Sequence, residues 1–285
     1  MTYTIPLLLN EVVEIKLPVS LYKDNNFEIF LDDFPIADRE TLFDIKNLTI
    51  SEGRATYKIG RDSFSTNRDK FPEFSSSSYR LLIQAIDDSD EQIELFNKLS
   101  YSLNLCCILY FNYPITLTIF GDNKMSKSQH SLQVFIRRSV KTTLNLESLD
   151  SFKSTLQICI NNKNVDVKKK SMLFSLLNIS LLQSFNSGLI CSTYITILES
   201  LFTNENTEIT YRFAMRLTKY LNKDYLFSRS IKKLYEKRSA YYHTGEIKFN
   251  KDDELFLSSL TRKITIDYFQ NPSNFLVSKL DEQLL

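Results

Sequence analysis

Apolar and polar residues alternate with period two along much of the first 160 positions. Val13, Ile15 and Leu17 alternate with Glu14 and Lys16, the pattern of a strand with one buried face. The same pattern recurs at Ala55, Tyr57 and Ile59, at Ile115, Leu117 and Ile119, at Leu132, Val134 and Ile136, and at Leu156, Ile158 and Ile160. Turn-forming clusters punctuate the runs: KDNN at 23–26, SEG at 51–53, GDN at 121–123 and NNKN at 161–164. Residues 61–78 are polar and serine-rich and read as a mobile loop. A helix is predicted from Asp90 to about Leu103, where acidic residues open the segment and Ile93, Phe96, Leu99 and Leu103 share a face.

After NNKN the period changes. Apolar residues recur at three- and four-residue spacing, which predicts helices over about 168–186, 188–203, 207–222, 225–243 and 252–270. Thr207-Glu208 and Asp252-Asp253-Glu254 suit the positive end of a helix dipole, and Gly245 stands where a left-handed cap belongs. The expected fold class is α+β: a strand-rich α+β domain over 1–164, followed by an all-α helical domain over 165–285.

That division gives the charge a direction. The whole chain carries 35 Lys+Arg against 34 Asp+Glu, a net +1 that excludes a wholesale nucleic-acid coat. Residues 1–164 are mildly acidic, with 18 basic and 21 acidic residues, whereas 168–238 hold 12 basic against 5 acidic. Such a segment suits an anionic partner such as RNA or a nucleotide phosphate, and equally a solvated helix surface. Cys106, Cys107, Cys159 and Cys191 lie in apolar runs, with neither disulfide nor zinc spacing, and read as reduced core thiols. Five scattered glycines leave no phosphate-cradling loop or dinucleotide fingerprint, so no cofactor and no metal are expected. The N-terminal MTYTIPLLLNEVVE does not read as a signal peptide, and no apolar run reaches membrane-spanning length, so a cytoplasmic location is expected.

Chemistry concentrates in LYEKRSAYYHTGE, Leu234 to Glu246. Its helix, read back to Phe227, carries an apolar stripe at Phe227, Ile231, Leu234 and Tyr242, and Arg238 falls on that stripe. A guanidinium on an apolar face is costly unless it is paired or faces a ligand or partner. His243 follows five residues later, about 140° round on an ideal helix. Histidine exchanges protons near neutral pH, and arginine is a permanent cation shaped for phosphate oxygens. The pair could therefore move a proton at an oxygen on phosphorus and stabilise developing charge without a metal. Alternatively, Arg238 pairs with a buried glutamate such as Glu199 or Glu208, and His243 merely ends the helix. The other histidine, His130, stands in polar KMSKSQHS with no ligand set around it and reads as a loop residue. Arg137-Arg138 reads as a surface pair.

Three blocks in order, ITILESLF at 195–202, EITYRFAMR at 208–216 and KLYEKRSAYYHTGE at 233–246, resemble the HEPN superfamily, in particular its Apea-like group. The resemblance covers about 181–269 and leaves residues 1–164 aside. It implies an all-helical domain that usually dimerises, and metal-independent endoribonuclease activity in which the ribose 2′-hydroxyl attacks the adjacent phosphodiester. Carried onto this chain, His243 would be the general acid/base and Arg238 the phosphate ligand. Ser239, Tyr242, Arg212, Arg216, Glu199 and Glu208 would bind substrate or support the site. The implied partners are RNA and a second copy of the chain, with the N-terminal domain sensing an activator or binding a protein in a prokaryotic stress or antiviral role. Ser239 stands where nuclease members often carry Asn, Asp or His. It favours the rival expectation, a non-catalytic helical domain that binds RNA or nucleotide or only dimerises.

Overall fold

The computed structural model describes residues 2–7, 9–33, 35, 49–51, 54–59, 62–67, 79–85, 91–111, 142–161, 166–182, 186–203 and 208–282. The chain divides into two compact units, Met1–Ile160 and Asn161–Leu285. Strands and helices together make it an α+β protein.

The first unit holds nine described strands: β1 (Thr2–Leu7), β2 (Leu9–Val12), β3 (Val19–Lys23), β4 (Phe27–Asp33), β5 (Thr49–Ser51), β6 (Arg54–Ile59), β7 (Asp62–Asn67), β8 (Tyr79–Ala85) and β9 (Thr142–Leu144). A four-stranded antiparallel sheet has the order β1-β8-β4-β3, β5-β6-β7 form a second antiparallel sheet, and β2 pairs in parallel with β9. Alternation sets the register. Ile29 and Leu31 lie opposite Ile83 and Leu81 on one face, and all four are fully buried. The KDNN cluster makes the turn between β3 and β4, where the Asp24 carboxylate accepts from the N–H groups of Asn26 and Phe27 at 2.8 and 2.7 Å.

Three expectations for this unit change. Leu156, Ile158 and Ile160 belong to helix α2 (Leu146–Asn161), not to a strand. Leu149, Phe152, Leu156 and Cys159 form its buried stripe, and this 3.6-residue period outweighs the coincidental alternation at its end. Val13–Leu17 lies between strands, because Glu14 takes a left-handed backbone (φ 59°) that interrupts extended structure. Asp62–Asn67, expected in a loop, pairs with β6 as β7. Helix α1 (Glu91–Phe111) runs beyond Leu103 through the apolar Leu105–Leu109, all buried. Tyr110 ties it to α2 by hydrogen bonds to Ser151 and Thr155 at 2.6 and 2.9 Å. The expected strands at 115–119 and 132–136, His130 and Arg137-Arg138 lie outside the described residues.

The second unit is helical: α3 (Val167–Leu182), α4 (Ser187–Phe202), α5 (Ile209–Tyr220), α6 (Tyr225–Thr244), α7 (Lys251–Gln270), a 3-10 turn (Pro272–Phe275) and α8 (Val277–Glu282). Side-chain caps start four of them: Asp166 opens α3 by accepting from the N–H groups of Lys168 and Lys169 at 2.8 and 3.4 Å. Asn186 accepts from Leu189 N–H, Asp224 from Phe227 N–H, and Asn250 forms a reciprocal capping box with Asp253, each cap contributing about 1 kcal/mol. Gly245 closes α6 in the left-handed conformation (φ 73°). Helix α4 is buried nearly all round, with Ile190, Ile195, Ile197, Leu198, Leu201 and Phe202 in the core, and is the axis on which the other helices pack. All four cysteines are free and buried. No helix among the described residues is long and apolar enough to cross a membrane.

Candidate functional site

Helix α6 buries Ser228, Ile231 and Leu234 against its neighbours, and then its inward stripe turns polar. The next position on that stripe is Arg238. Side chains of a helix lean toward its N-terminus, and Arg238 does so, lying with its guanidinium carbon 5.0 Å from the centre of the Tyr235 ring. Tyr242, one turn on, has its ring centre 5.5 Å from the same guanidinium carbon. The expectation that Tyr242 completes a buried stripe is corrected: it is 55% exposed, because the core ends at Leu234 and Tyr242 covers a cation instead.

Helix α4 supplies the rest of the environment. Arg238 Nη1 donates to Glu199 Oε2 at 2.8 Å, and Nη2 donates to Thr196 Oγ1 at 3.2 Å. The side chains of Arg238 and Glu199 are 18% and 19% exposed, so the pair is shielded but not sealed. Of the glutamates that sequence reasoning offered as partners, Glu199 is the one engaged. A guanidinium has five N–H bonds, and these contacts use two. Nε is buried and has no hydrogen-bond partner among the described residues. Burial pushes the Tyr235 phenol above its ordinary pKa, the Glu199 carboxylate adds to that rise, and the Arg238 charge opposes it. Tyr235 is therefore a neutral hydroxyl at neutral pH.

His243 is exposed on the last turn of α6 and makes no hydrogen bond or ion pair among the described residues. The helix stays regular past it, since Gly245 N–H donates to Tyr241 O at 2.9 Å. Arg238 and His243 therefore keep the roughly 140° separation of an ideal helix and do not converge by local distortion. Ser239 is half-buried between them in sequence.

The remaining predicted residues make contacts of their own. Arg212 pairs with Glu208 across one turn of α5 at 3.5 Å on the surface. Arg216 is 0% exposed: Nε and Nη2 grip both oxygens of Asp281 at 2.8 and 3.0 Å, and Nη1 donates to Phe202 O at 3.0 Å. The structure thus gathers Arg238, Glu199 and Tyr242, carries Ser239 and His243 on the same helix end, and leaves Arg212, Glu208 and Arg216 in separate pairs. Thr196, Tyr235 and Tyr241 were missed. The first two sit three residues before Glu199 and Arg238, so helical spacing from the named pair was the signal for them.

Structure also thins the basic segment. Of its cations, Arg212, Arg216, Lys237 and Arg238 face carboxylates, and Lys170 is buried. Lys168, Lys219, Lys223, Arg229 and Lys233 remain exposed, and Lys232 lies 4.5 Å over the Tyr211 ring. Among the described residues, no group of three His, Cys, Asp or Glu side chains could hold a metal ion. Comparison with family models, curated proteins and solved structures finds no match to this chain.

Proposed function

We propose that the helical unit is a metal-independent endoribonuclease of the HEPN type, with the C-terminal end of α6 as its working surface. The observation that carries this reading is the state of Arg238. It is fixed by Glu199 and Thr196 and lies beside two tyrosine rings, yet its side chain stays 18% exposed. A guanidinium so held meets phosphate oxygens with little ordering cost. Exposed Tyr242 beside it offers a face for a base. In the proposed reaction the ribose 2′-hydroxyl attacks the neighbouring phosphorus, the 5′-oxygen of the next nucleotide leaves, and a 2′,3′-cyclic phosphate remains. His243 takes or returns the proton, and Arg238 stabilises charge on the non-bridging oxygens. Because the two point apart on one helix, a complete site needs a second copy of α6, so the active species is a homodimer. The strand-rich unit then serves as the sensing or partner-binding module, in a stress or antiviral response.

A second reading has its own support. Pairing of Arg238 with Glu199 is also what an interhelical brace requires, and in that case the unit binds RNA or nucleotide without cleaving it, or only dimerises. Purified protein incubated with RNA in EDTA, beside His243→Ala and Arg238→Ala, separates the two. The nuclease reading expects cyclic-phosphate ends from the wild type and loss of cleavage in both variants. An RNA that binds equally to all three proteins and is cut by none overturns it.

A further inference from the structure

Helix α4 grips α6 a second time, at a place the proposed chemistry does not use. Asn186, the cap of α4, has two tasks: its Oδ1 accepts from Leu189 N–H at 2.9 Å, and its Nδ2 donates to Tyr241 Oη at 3.0 Å. The Tyr241 ring then lies over Gly188, so close that a β-carbon there would stand 2.6 Å from its Cδ2 and Cε2. Gly188 is buried in the first turn of α4, and absence of a side chain is what admits the ring. Tyr241 stands three residues after Arg238 and two before His243 on the last turn of α6, where a helix end otherwise frays. Its neighbour Tyr242, which lies beside Arg238, touches the Tyr241 ring with centroids 5.6 Å apart.

We infer that Tyr241, locked to Asn186 and seated on Gly188, is a positioning residue that holds the terminal turn of α6, and with it Tyr242 and His243, in the geometry the site requires. The catalytic part of this inference rests on the ribonuclease reading; the mechanical part does not. The same α4 that fixes Arg238 through Thr196 and Glu199 fixes the turn beyond it through Asn186, so the two grips set the spacing of the pair. Burial or core packing of Tyr241 alone would not need the hydroxyl; the lock does.

Two conservative variants break the bond without emptying the site. Tyr241→Phe keeps the ring, and Asn186→Ser keeps a cap acceptor for Leu189 but cannot reach Tyr241. On RNA, each is expected to lower kcat about tenfold at a KM within about twofold, because misplacement rather than lost binding is the defect. The double variant should fall no further than either single one, since both remove one interaction. A second readout is independent of cleavage. In full-length protein lacking the other histidine (His130→Gln), the sole imidazole NMR signal reports His243. It should be single and sharp on the lock-intact background, and shifted or broadened by Tyr241→Phe and by Asn186→Ser, while the thermal midpoint moves by only a few degrees. Unchanged imidazole signals in both variants overturn the lock. Altered signals with an inactive wild type leave the lock standing and remove the ribonuclease reading. Altered signals with full activity overturn the positioning role.

Discussion

Arg216 and Arg238 sit on consecutive helices, each against a carboxylate, and they differ in what is left over. Arg216 is fully buried, with the Nε–Nη2 edge of its guanidinium on both oxygens of Asp281 and Nη1 on the Phe202 carbonyl. Arg238 makes one bond to Glu199 and one to Thr196, has no partner for its buried Nε among the described residues, and stays 18% exposed beside two aromatic rings. A structural arginine exhausts its donors on its own fold, whereas an arginine poised for a ligand is held by a few of them and keeps the others. The contrast separates two residues that look alike in the sequence, each a basic residue inside a helical apolar pattern.

The largest expected effect lies on the buried side. Asp281→Ala removes the half-exposed carboxylate that pairs with a fully buried guanidinium, and should cost the helical unit about 2–3 kcal/mol in denaturant unfolding followed by helical circular dichroism. A loss below about 1 kcal/mol would show that Arg216 finds other acceptors and would blunt the contrast. Arg238→Ala should behave in the opposite manner, with about 1 kcal/mol of stability lost and RNA cleavage reduced about a hundredfold or more. If Arg238→Ala instead melts the unit as Asp281→Ala does, Arg238 is a brace and the second reading stands. Glu199→Gln sharpens the point, since the amide oxygen still accepts from Arg238 while the competing negative charge is gone. Its stability should move by less than about 1 kcal/mol, and RNA should stay bound to higher salt than on the wild type. Smallest is Arg212→Ala, which breaks an exposed pair and should change stability by no more than about 0.5 kcal/mol.

How far the sequence carried differs between the two units for a physical reason. In the helical unit the three- and four-residue spacing, the acidic first turn of α7 and the glycine after α6 agree with one another, and the predicted helices lie within a few residues of α3 to α7. In the strand-rich unit, alternation over only three apolar positions is ambiguous: Leu156, Ile158 and Ile160 satisfy it inside a helix whose real stripe begins at Leu149. Part of the site was legible too. Scarcity of histidine isolated His243, the polar break in the α6 stripe isolated Arg238, and Glu199 was nameable as its partner. The depth of Arg216 was not legible, because its partner Asp281 lies 65 residues further on, in a six-residue helix no periodicity announces. Nor was the grip of Asn186 on Tyr241, which depends on the close approach of two helices at a glycine.

The central claim is that the end of α6 cuts RNA, and His243 tests it most directly because that exposed side chain makes no hydrogen bond or ion pair among the described residues. Its replacement in His243→Ala should leave the unfolding midpoint where it is, within about 0.5 kcal/mol. Single-turnover cleavage of RNA in EDTA, measured for wild type and His243→Ala at equal folded fraction, should show a rate at least about a hundredfold lower in the variant, with 2′,3′-cyclic phosphate ends on the wild-type product. Equal rates in the two proteins would contradict the claim.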